Sequence, residues 1–432
     1  MAQQLYNSED PQETALLVAA QKGRTAAWEV ADSLDELALL CETAGARVVE
    51  RRVCRMTRVN PATYVGSGKA QELADLVREQ GISTVVFDDN LTAAQGRNLE
   101  KVIGTKVIDR TQVILDIFAQ HARSREGRMQ IELAQLEYLL PRLRRMWTHL
   151  ERQKGGIGMH GPGEKQLELD RRRIVERIDR FKEDLEKVRD HRAEQRRGRR
   201  RHGWALVSLV GYTNAGKSTL LNSLTGADVL AYDKLFATLD PTTRQLRLAN
   251  HQQVLLTDTV GFIRKLPHGL VEAFKATLEE VVEADLLLHV IDVSHPQVEQ
   301  QIEAVQHVLR ELGAHDKPVL HVLNKIDVPG SEAAQHVLQE RLSPCVAVSG
   351  LRGTGLEQLR DLLADHLRHR SLRMHLRIPP SEGRLLASIR NSGTLFSISY
   401  DGEVTVLDVG IPPALLGACE PYQVESDTPP EE

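Results

Sequence analysis

Eight consecutive residues carry the most specific chemistry in this sequence: Gly211-Tyr212-Thr213-Asn214-Ala215-Gly216-Lys217-Ser218. They satisfy G-x-x-x-x-G-K-[ST], the spacing of a loop that wraps nucleotide phosphates. Its glycines let the main chain come close, while loop N–H groups and a helix N-terminus supply a concave positive field. Lys217 is placed to reach the β- and γ-phosphates, and the Ser218 hydroxyl to ligate Mg²⁺. The apolar run Trp204–Val210 reads as a buried strand and Thr219–Thr225 as the start of a helix, which is the context such a loop needs.

Further signals follow in the order this chemistry requires. The strand Gln253–Thr257 ends in Asp258-Thr259-Val260-Gly261, a D-x-x-G whose Asp meets Mg²⁺ through water and whose Gly amide can sense a γ-phosphate. That motif is short and weak by itself. Val319–Leu323 ends in Asn324-Lys325-Ile326-Asp327, and N-K-x-D is far more specific. Its Asp carboxylate accepts from guanine N1–H and the exocyclic amine together, a pair of donors that adenine lacks. Lys325 would cover the base with its aliphatic stem, so the domain reads GTP rather than ATP. Ser349-Gly350-Leu351 fills the last guanine-loop position; Gly350 stands where Ala is usual, which keeps the backbone contact and predicts a looser loop.

The segment Leu235-Phe236-Ala237-Thr238-Leu239-Asp240-Pro241-Thr242-Thr243 reads as the first switch, where one threonine binds Mg²⁺ and lets go when the γ-phosphate leaves. The residues alone do not choose among Thr238, Thr242 and Thr243. After Gly261, where many GTPases carry a water-orienting Gln, stands Phe262. Phe cannot hold water by hydrogen bonding, so intrinsic hydrolysis is expected to be slow and to depend on a partner or a cation. Asn214 is a candidate for helping to hold a monovalent K⁺ near the phosphates.

The elements that position these motifs divide the chain into segments. Residues 1–121 alternate strands and helices, which predicts a small parallel α/β domain. Within it, Ser33-Leu34-Asp35-Glu36 reads as a capping box opening a helix to about Ala44. Tyr64-Val65-Gly66-Ser67-Gly68-Lys69 lacks the interval of a phosphate loop and reads as a tight turn before a helix. In residues 122–202, Leu136, Leu140, Leu143, Trp147 and Leu150, then Ile174, Ile178, Phe181, Leu185 and Val188, recur at helical spacing, predicting a helical hairpin. Pro141 should bend its first helix. Its tip, Gly155-Gly156-Ile157-Gly158-Met159-His160-Gly161-Pro162-Gly163, is far longer than a turn needs. Glycines with His160, flanked by Lys154 and Lys165, suit close approach to RNA backbone. Residues 203–371 hold the nucleotide domain, a mixed sheet in Ras-like order. Residues 372–424 read as a small α+β domain whose hairpin turns at Asp401-Gly402, and 425–432 as an acidic tail.

Composition narrows the setting. At 432 residues and 41% hydrophobic, the chain can build several cores. Its net charge is −5, yet His121–His202 carries 23 Lys+Arg against 14 Asp+Glu, leaving −14 elsewhere. One basic block on an acidic protein suggests a polyanionic partner. The four cysteines are scattered without metal-ligand or disulfide spacing, no run approaches a membrane span, and the first residues are polar. A soluble, cytoplasmic monomer is the expectation.

Taken together, the sequence resembles the HflX family of translational GTPases. The residues that carry the likeness are Tyr64–Lys69, the tip from Gly155 to Glu164 running into Leu167-Glu168-Leu169-Asp170-Arg171-Arg172, Gly211–Ser218, Phe236–Asp240 and Asp258–Gly261. The glycine tip is the most specific, because generic GTPases lack it. The resemblance implies a factor that binds the large (50S) ribosomal subunit when loaded with GTP. It also implies that the hairpin enters the peptidyl-transferase region and that stalled ribosomes are split under stress. It places Gly155, Gly156, Gly158, His160, Gly161 and Gly163 against rRNA and the switch Mg²⁺ ligand on Thr238. Lys217, Thr238 and Gly261 then carry catalysis. A GTP-dependent RNA-maturation factor would need a second catalytic centre, and no reactive Cys/His set or metal cluster stands in the sequence. A non-enzymatic RNA-binding scaffold is the other competing reading.

Overall fold

A computed structural model describes residues 12–23, 25–143, 162–201, 204–226, 235–236, 238–248, 252–265, 278–368, 372–411 and 415–424. By contact the chain separates into two compact units. The first comprises residues 1–185 with 234–236 and 266–273, and the second comprises the remainder. This is a multidomain α/β protein, as expected.

The first unit opens with β1 (Thr14–Lys22), α1 (Ala27–Thr43), β2 (Arg47–Met56), α2 (Ser67–Gln80), β3 (Thr84–Phe87), α3 (Ala93–Ile103), β4 (Lys106–Asp109) and α4 (Arg110–His121). All four strands are parallel, in the order β2-β1-β3-β4. Ala15–Ala19 of β1 and all of β3 are buried, the continuous apolar runs of strands covered on both faces.

Helix α1 starts six residues before the expected capping box. Ser33 lies inside it and donates to Asp88 at 2.7 Å, while Glu36 pairs with the buried Arg110. Arg110 also binds Asp88 at 2.8 Å. A guanidinium 1% exposed must find carboxylates and hydroxyls nearby, and that demand recruits the two residues that resembled a cap. The 66–69 segment is a turn into a helix: Gly66 is the N-cap of α2 and Lys69 pairs with Glu72 at 2.6 Å.

Two long helices follow, α5 (Arg125–Leu143) and α6 (Pro162–Arg201). Pro141 falls inside α5, near its described end, so the helix continues through it. Ile178 of α6 is buried, and Arg177–Glu132 and Lys182–Glu137 ion pairs tie α6 to α5. The basic run Arg196–Arg201 forms the carboxyl end of α6. Trp147, Leu150 and the tip from Gly155 to Gly161 lie outside the described residues, whereas Pro162 and Gly163 begin α6.

The second unit carries β5 (Ala205–Gly211), α7 (Lys217–Thr225), β6 (Thr242–Arg247), β7 (Gln253–Asp258), α8 (Glu279–Glu283) and β8 (Leu286–Asp292). Next come α9 (Val298–Glu311), β9 (Val319–Asn324), α10 (Glu332–Arg341), β10 (Cys345–Ala347) and α11 (Leu356–Arg368). The sheet order is β10-β9-β8-β5-β7-β6, parallel except for β6. Val207, Leu209, Leu256, Leu288, Val290 and Val322 form its apolar centre. Gly211–Ser218, Asp258–Gly261, Asn324–Asp327 and Ser349–Leu351 therefore sit at the carboxyl ends of β5, β7, β9 and β10, the edge where open α/β sheets bind ligands, and the first switch enters the antiparallel β6 at its amino end. The chain closes with β11 (Leu372–Ile378), α12 (Gly383–Ser392), β12 (Thr394–Asp401) and β13 (Val404–Ile411), an antiparallel sheet in the order β11-β13-β12. Its own core includes Met374, Leu376, Leu407 and Val409, and Gly402 makes the turn at φ +62°.

Candidate functional site

The phosphate loop leaves β5 and enters α7 at Gly216, whose φ of +91° is left-handed. A Cβ there would stand 2.3 Å from Asn324 Nδ2, so only glycine lets the loop pass beneath the guanine motif. Asn324 Nδ2 in turn donates to the Ala215 carbonyl at 2.8 Å, tying the two motifs together. Lys217 is 6% exposed, and its ammonium donates to the carbonyls of Gly211 and Tyr212 at 3.2 and 2.8 Å. Burial pulls its pKa down to about 8, against the opposing pull of Asp258. Asn214, at φ +59°, stands exposed on the lip of the loop.

Three hydroxyl and carboxylate groups converge beside Lys217. Ser218 Oγ is 2.8 Å from Thr238 Oγ1 and donates to Asp258 Oδ2 at 2.6 Å, while Thr238 Oγ1 donates to the same oxygen at 3.0 Å. Asp258 is fully buried; burial raises its pKa against the lowering effect of Lys217 and the two hydroxyls. Its Oδ1 is buried with no hydrogen-bond partner. Two hydroxyl oxygens beside a carboxylate with an unmatched lone pair suit a hard divalent cation such as Mg²⁺. Of the threonines left open by the residues alone, Thr238 is the one brought here. Thr243 bonds Thr257 at 3.0 Å and Thr242 starts β6. Ala237 lies outside the described residues, whereas Leu239 is buried next to Thr238 and Asp240 is partly buried.

The D-x-x-G segment and the residues just after it are stitched to the phosphate loop. Phe262 N–H donates to Gly211 O at 3.1 Å, Thr213 N–H donates to Phe262 O at 2.7 Å, and Arg264 N–H donates to the Tyr212 hydroxyl at 2.9 Å. Thr259 Oγ1 donates to Leu209 O at 2.6 Å, and Val260 is buried beside it. A Cβ on Gly261 would come 2.7 Å from Thr213 Cα, so the glycine passes flush against the loop. The Phe262 ring is 1% exposed and belongs to the core.

At the guanine end, Ser349 Oγ donates to Asp327 Oδ1 at 2.7 Å and Gly350 N–H donates to Asn324 Oδ1 at 2.9 Å. Ser223 Oγ donates to Gly350 O at 2.5 Å, so Gly350 is held on both sides and the expected slackness is absent. Leu351 is 80% exposed and Ile326 packs partly buried. Asp292, which the sequence reading passed over, fixes Lys325: its Oδ2 accepts from Lys325 Nζ at 2.6 Å, and its Oδ1 accepts from Ser294. It ends β8 as Asp258 ends β7, and that parallel was the available signal. Among the described residues no group of three or more His, Cys, Asp or Glu gathers to hold a metal, and no helix is long and apolar enough to cross a membrane.

Comparison with known proteins agrees with this arrangement. The family description "GTP-binding GTPase N-terminal" matches residues 31–119, "GTP-binding GTPase Middle Region" 121–199, and "50S ribosome-binding GTPase" 206–325. A GTPase HflX of Lacrimispora saccharolytica is 45% identical over 415 residues, covering 96% of this chain and 97% of the relative. The chain belongs to the HflX family. The GTPase HflX of Escherichia coli is 49% identical over 355 residues, 82% of this chain and 83% of its own. A solved GTP-binding protein from Sulfolobus solfataricus in complex with GDP is 26% identical with a TM-score of 0.43, covering 83% of this chain and 99% of its own. As an HflX-family member with an intact phosphate loop, the protein is a P-loop GTPase, and GTP and GDP are its nucleotides. P-loop GTPases generally work with Mg²⁺.

Proposed function

We propose that the GTP-loaded protein binds the large (50S) ribosomal subunit, parts stalled ribosomes under stress, and leaves when GTP is hydrolysed. The observation that carries this reading is the closed first switch, with Thr238 drawn onto Ser218 and Asp258. Such a switch couples the γ-phosphate to the shape of the protein.

In this reading Asp327 and the Ser349–Leu351 loop choose guanine, with Asn324 as the brace and Lys325, held by Asp292, lying along the base. Gly211–Ser218, with Lys217 foremost, cradles the phosphates. Ser218 and Thr238, with Asp258 through water, hold the Mg²⁺ that neutralises phosphate charge when bound. Phe236–Asp240 and Asp258–Gly261 close over the terminal phosphate, whose transfer to water is stabilised by Lys217 and loop amides. The Phe262 ring, next after Gly261, is buried in the core and offers no hydrogen bond to orient that water. The ribosome is assigned the task of completing the site, with Asn214 the residue that a K⁺ ion would use.

The ribosome-facing part is the tip, whose Gly155, Gly156, Gly158, His160, Gly161 and Gly163 are proposed to meet rRNA. The basic excess of residues 121–202 supports a polyanionic partner, and cytoplasmic location as a monomer completes the proposal. The test is light scattering of joined ribosomes with the full chain and with residues 155–161 deleted. Splitting by the intact chain and none by the deletion supports the reading; equal splitting by both removes it.

A further inference from the structure

Tyr212, the second residue of the phosphate loop, touches the site twice. Its carbonyl accepts from Lys217 Nζ at 2.8 Å, and its hydroxyl accepts from Arg264 N–H at 2.9 Å. The residue is 4% exposed, so packing rather than solvent sets where that hydroxyl stands. The Arg264 guanidinium donates in turn to Gln300 Oε1 at 2.7 Å. Gln300 lies on α9, whose Val298 and Ile302 share a core with Ile291 of β8. Arg264 is thus tied through its main chain to the phosphate loop and through its side chain to a packed helix. Two residues earlier, Phe262 is bonded to Gly211 and Thr213. Gly261 precedes these ties and runs flush with the loop: an added Cβ would stand 2.7 Å from Thr213 Cα and 3.0 Å from Lys217 Nζ.

With the Phe262 ring buried, what this segment can offer a terminal phosphate is main chain, the Gly261 N–H above all. A main-chain donor stabilises developing charge only if it is held in place before the reaction. Two residues of extended chain span about 7 Å at most, so fixing Arg264 limits how far Phe262 and Gly261 can swing. We infer that Tyr212 is a positioning residue for GTP hydrolysis. Through its hydroxyl and Arg264 it holds the Gly261–Phe262 main chain against the phosphate loop, while its carbonyl holds Lys217. The G-x-x-x-x-G-K-[ST] pattern leaves this position open to any residue type, so the tie belongs to this chain's tyrosine and not to the loop as such. The inference concerns the hydrolytic step alone and does not depend on which partner the protein meets.

The test uses the full chain in Mg²⁺ with Tyr212→Phe, Gln300→Ala and the pair. Phosphate release in a single turnover at saturating GTP is measured beside the affinity for GDP. Tyr212→Phe keeps the ring and the carbonyl and removes one hydroxyl. It is expected to slow release about tenfold while GDP affinity stays within about twofold. Gln300→Ala also slows release, and the pair loses less than the product of the two single losses, because both ties hold one segment. A merely structural role would weaken GDP binding along with hydrolysis. An unchanged rate with Tyr212→Phe, a parallel loss of GDP affinity, or losses that multiply in the pair would each overturn the inference. Should Tyr212→Phe fail to fold, Gln300→Ala decides it: slowed release at unchanged GDP affinity supports the inference, and unchanged release overturns it.

Discussion

Thr238 Oγ1 stands 2.8 Å from Ser218 Oγ, and both hydroxyls donate to one carboxylate oxygen of Asp258. A first switch drawn this far in places its hydroxyl where a divalent cation would want it. Thr238→Ala should therefore slow Mg²⁺-dependent GTP hydrolysis by about 10²-fold. Phosphate release under single-turnover conditions measures this, and a loss below threefold would remove Thr238 from the site.

Asp327 Oδ1 accepts from Ser349 Oγ at 2.7 Å and its Oδ2 lies 3.7 Å from Arg352 Nε, so the carboxylate proposed to read guanine is fixed from two sides. With Asp327→Ala, guanine loses the acceptor for its two donors while adenine loses nothing. The GTP-over-ATP preference should fall by about 10²-fold or more. Competition binding with the two nucleotides reads the ratio directly.

Gly216 makes a sharper steric claim. An added methyl would lie 2.3 Å from Asn324 Nδ2, displacing the amide that braces Ala215. Gly216→Ala should cost both phosphate and guanine recognition, lowering GDP affinity by about tenfold or more. Gly402→Ala, at φ +62° with nothing within 4 Å of the added carbon, should leave nucleotide binding intact although it strains a turn.

Stability should fall in acid through a pair of histidines. His289 and His321 are register partners on β8 and β9, with rings 5.4 Å apart. Burial, then the neighbouring His321 and Lys217, pushes His289 from its usual 6.5 down to about 3. The folded state keeps it neutral while the unfolded chain takes up a proton near 6.5. This group's contribution is thus whole above pH 6.5 and declines as pH falls toward 3. The loss at pH 5 is about 2 kcal/mol. Urea unfolding at pH 7 and pH 5 should show it, and His289→Leu should flatten the difference.

The sequence made the nucleotide site legible because a few spaced polar and glycine residues have one chemical use. Gly211–Ser218, Asp258–Gly261 and Asn324–Asp327 could be placed at strand ends before any coordinates. What stayed hidden were relations made only by tertiary packing. Ser33 and Glu36 look like a helix cap until the buried Arg110 claims them. Phe236 looks like one residue of a switch until Phe118 meets it. Gly350 predicted slack, yet hydrogen bonds from Ser223 and to Asn324 hold it on both sides. Helices α9 and α10 and strands β6 and β10 also escaped the motif-led reading. They carry no nucleotide chemistry, and β10 is only three residues long.

The most direct measurement is sedimentation of the full chain through sucrose with purified large ribosomal subunits, in Mg²⁺ and either a non-hydrolysable GTP analogue or GDP. The account predicts that the protein travels with the subunit in the analogue and stays behind in GDP. Equal retention with both nucleotides, or none with either, would contradict it.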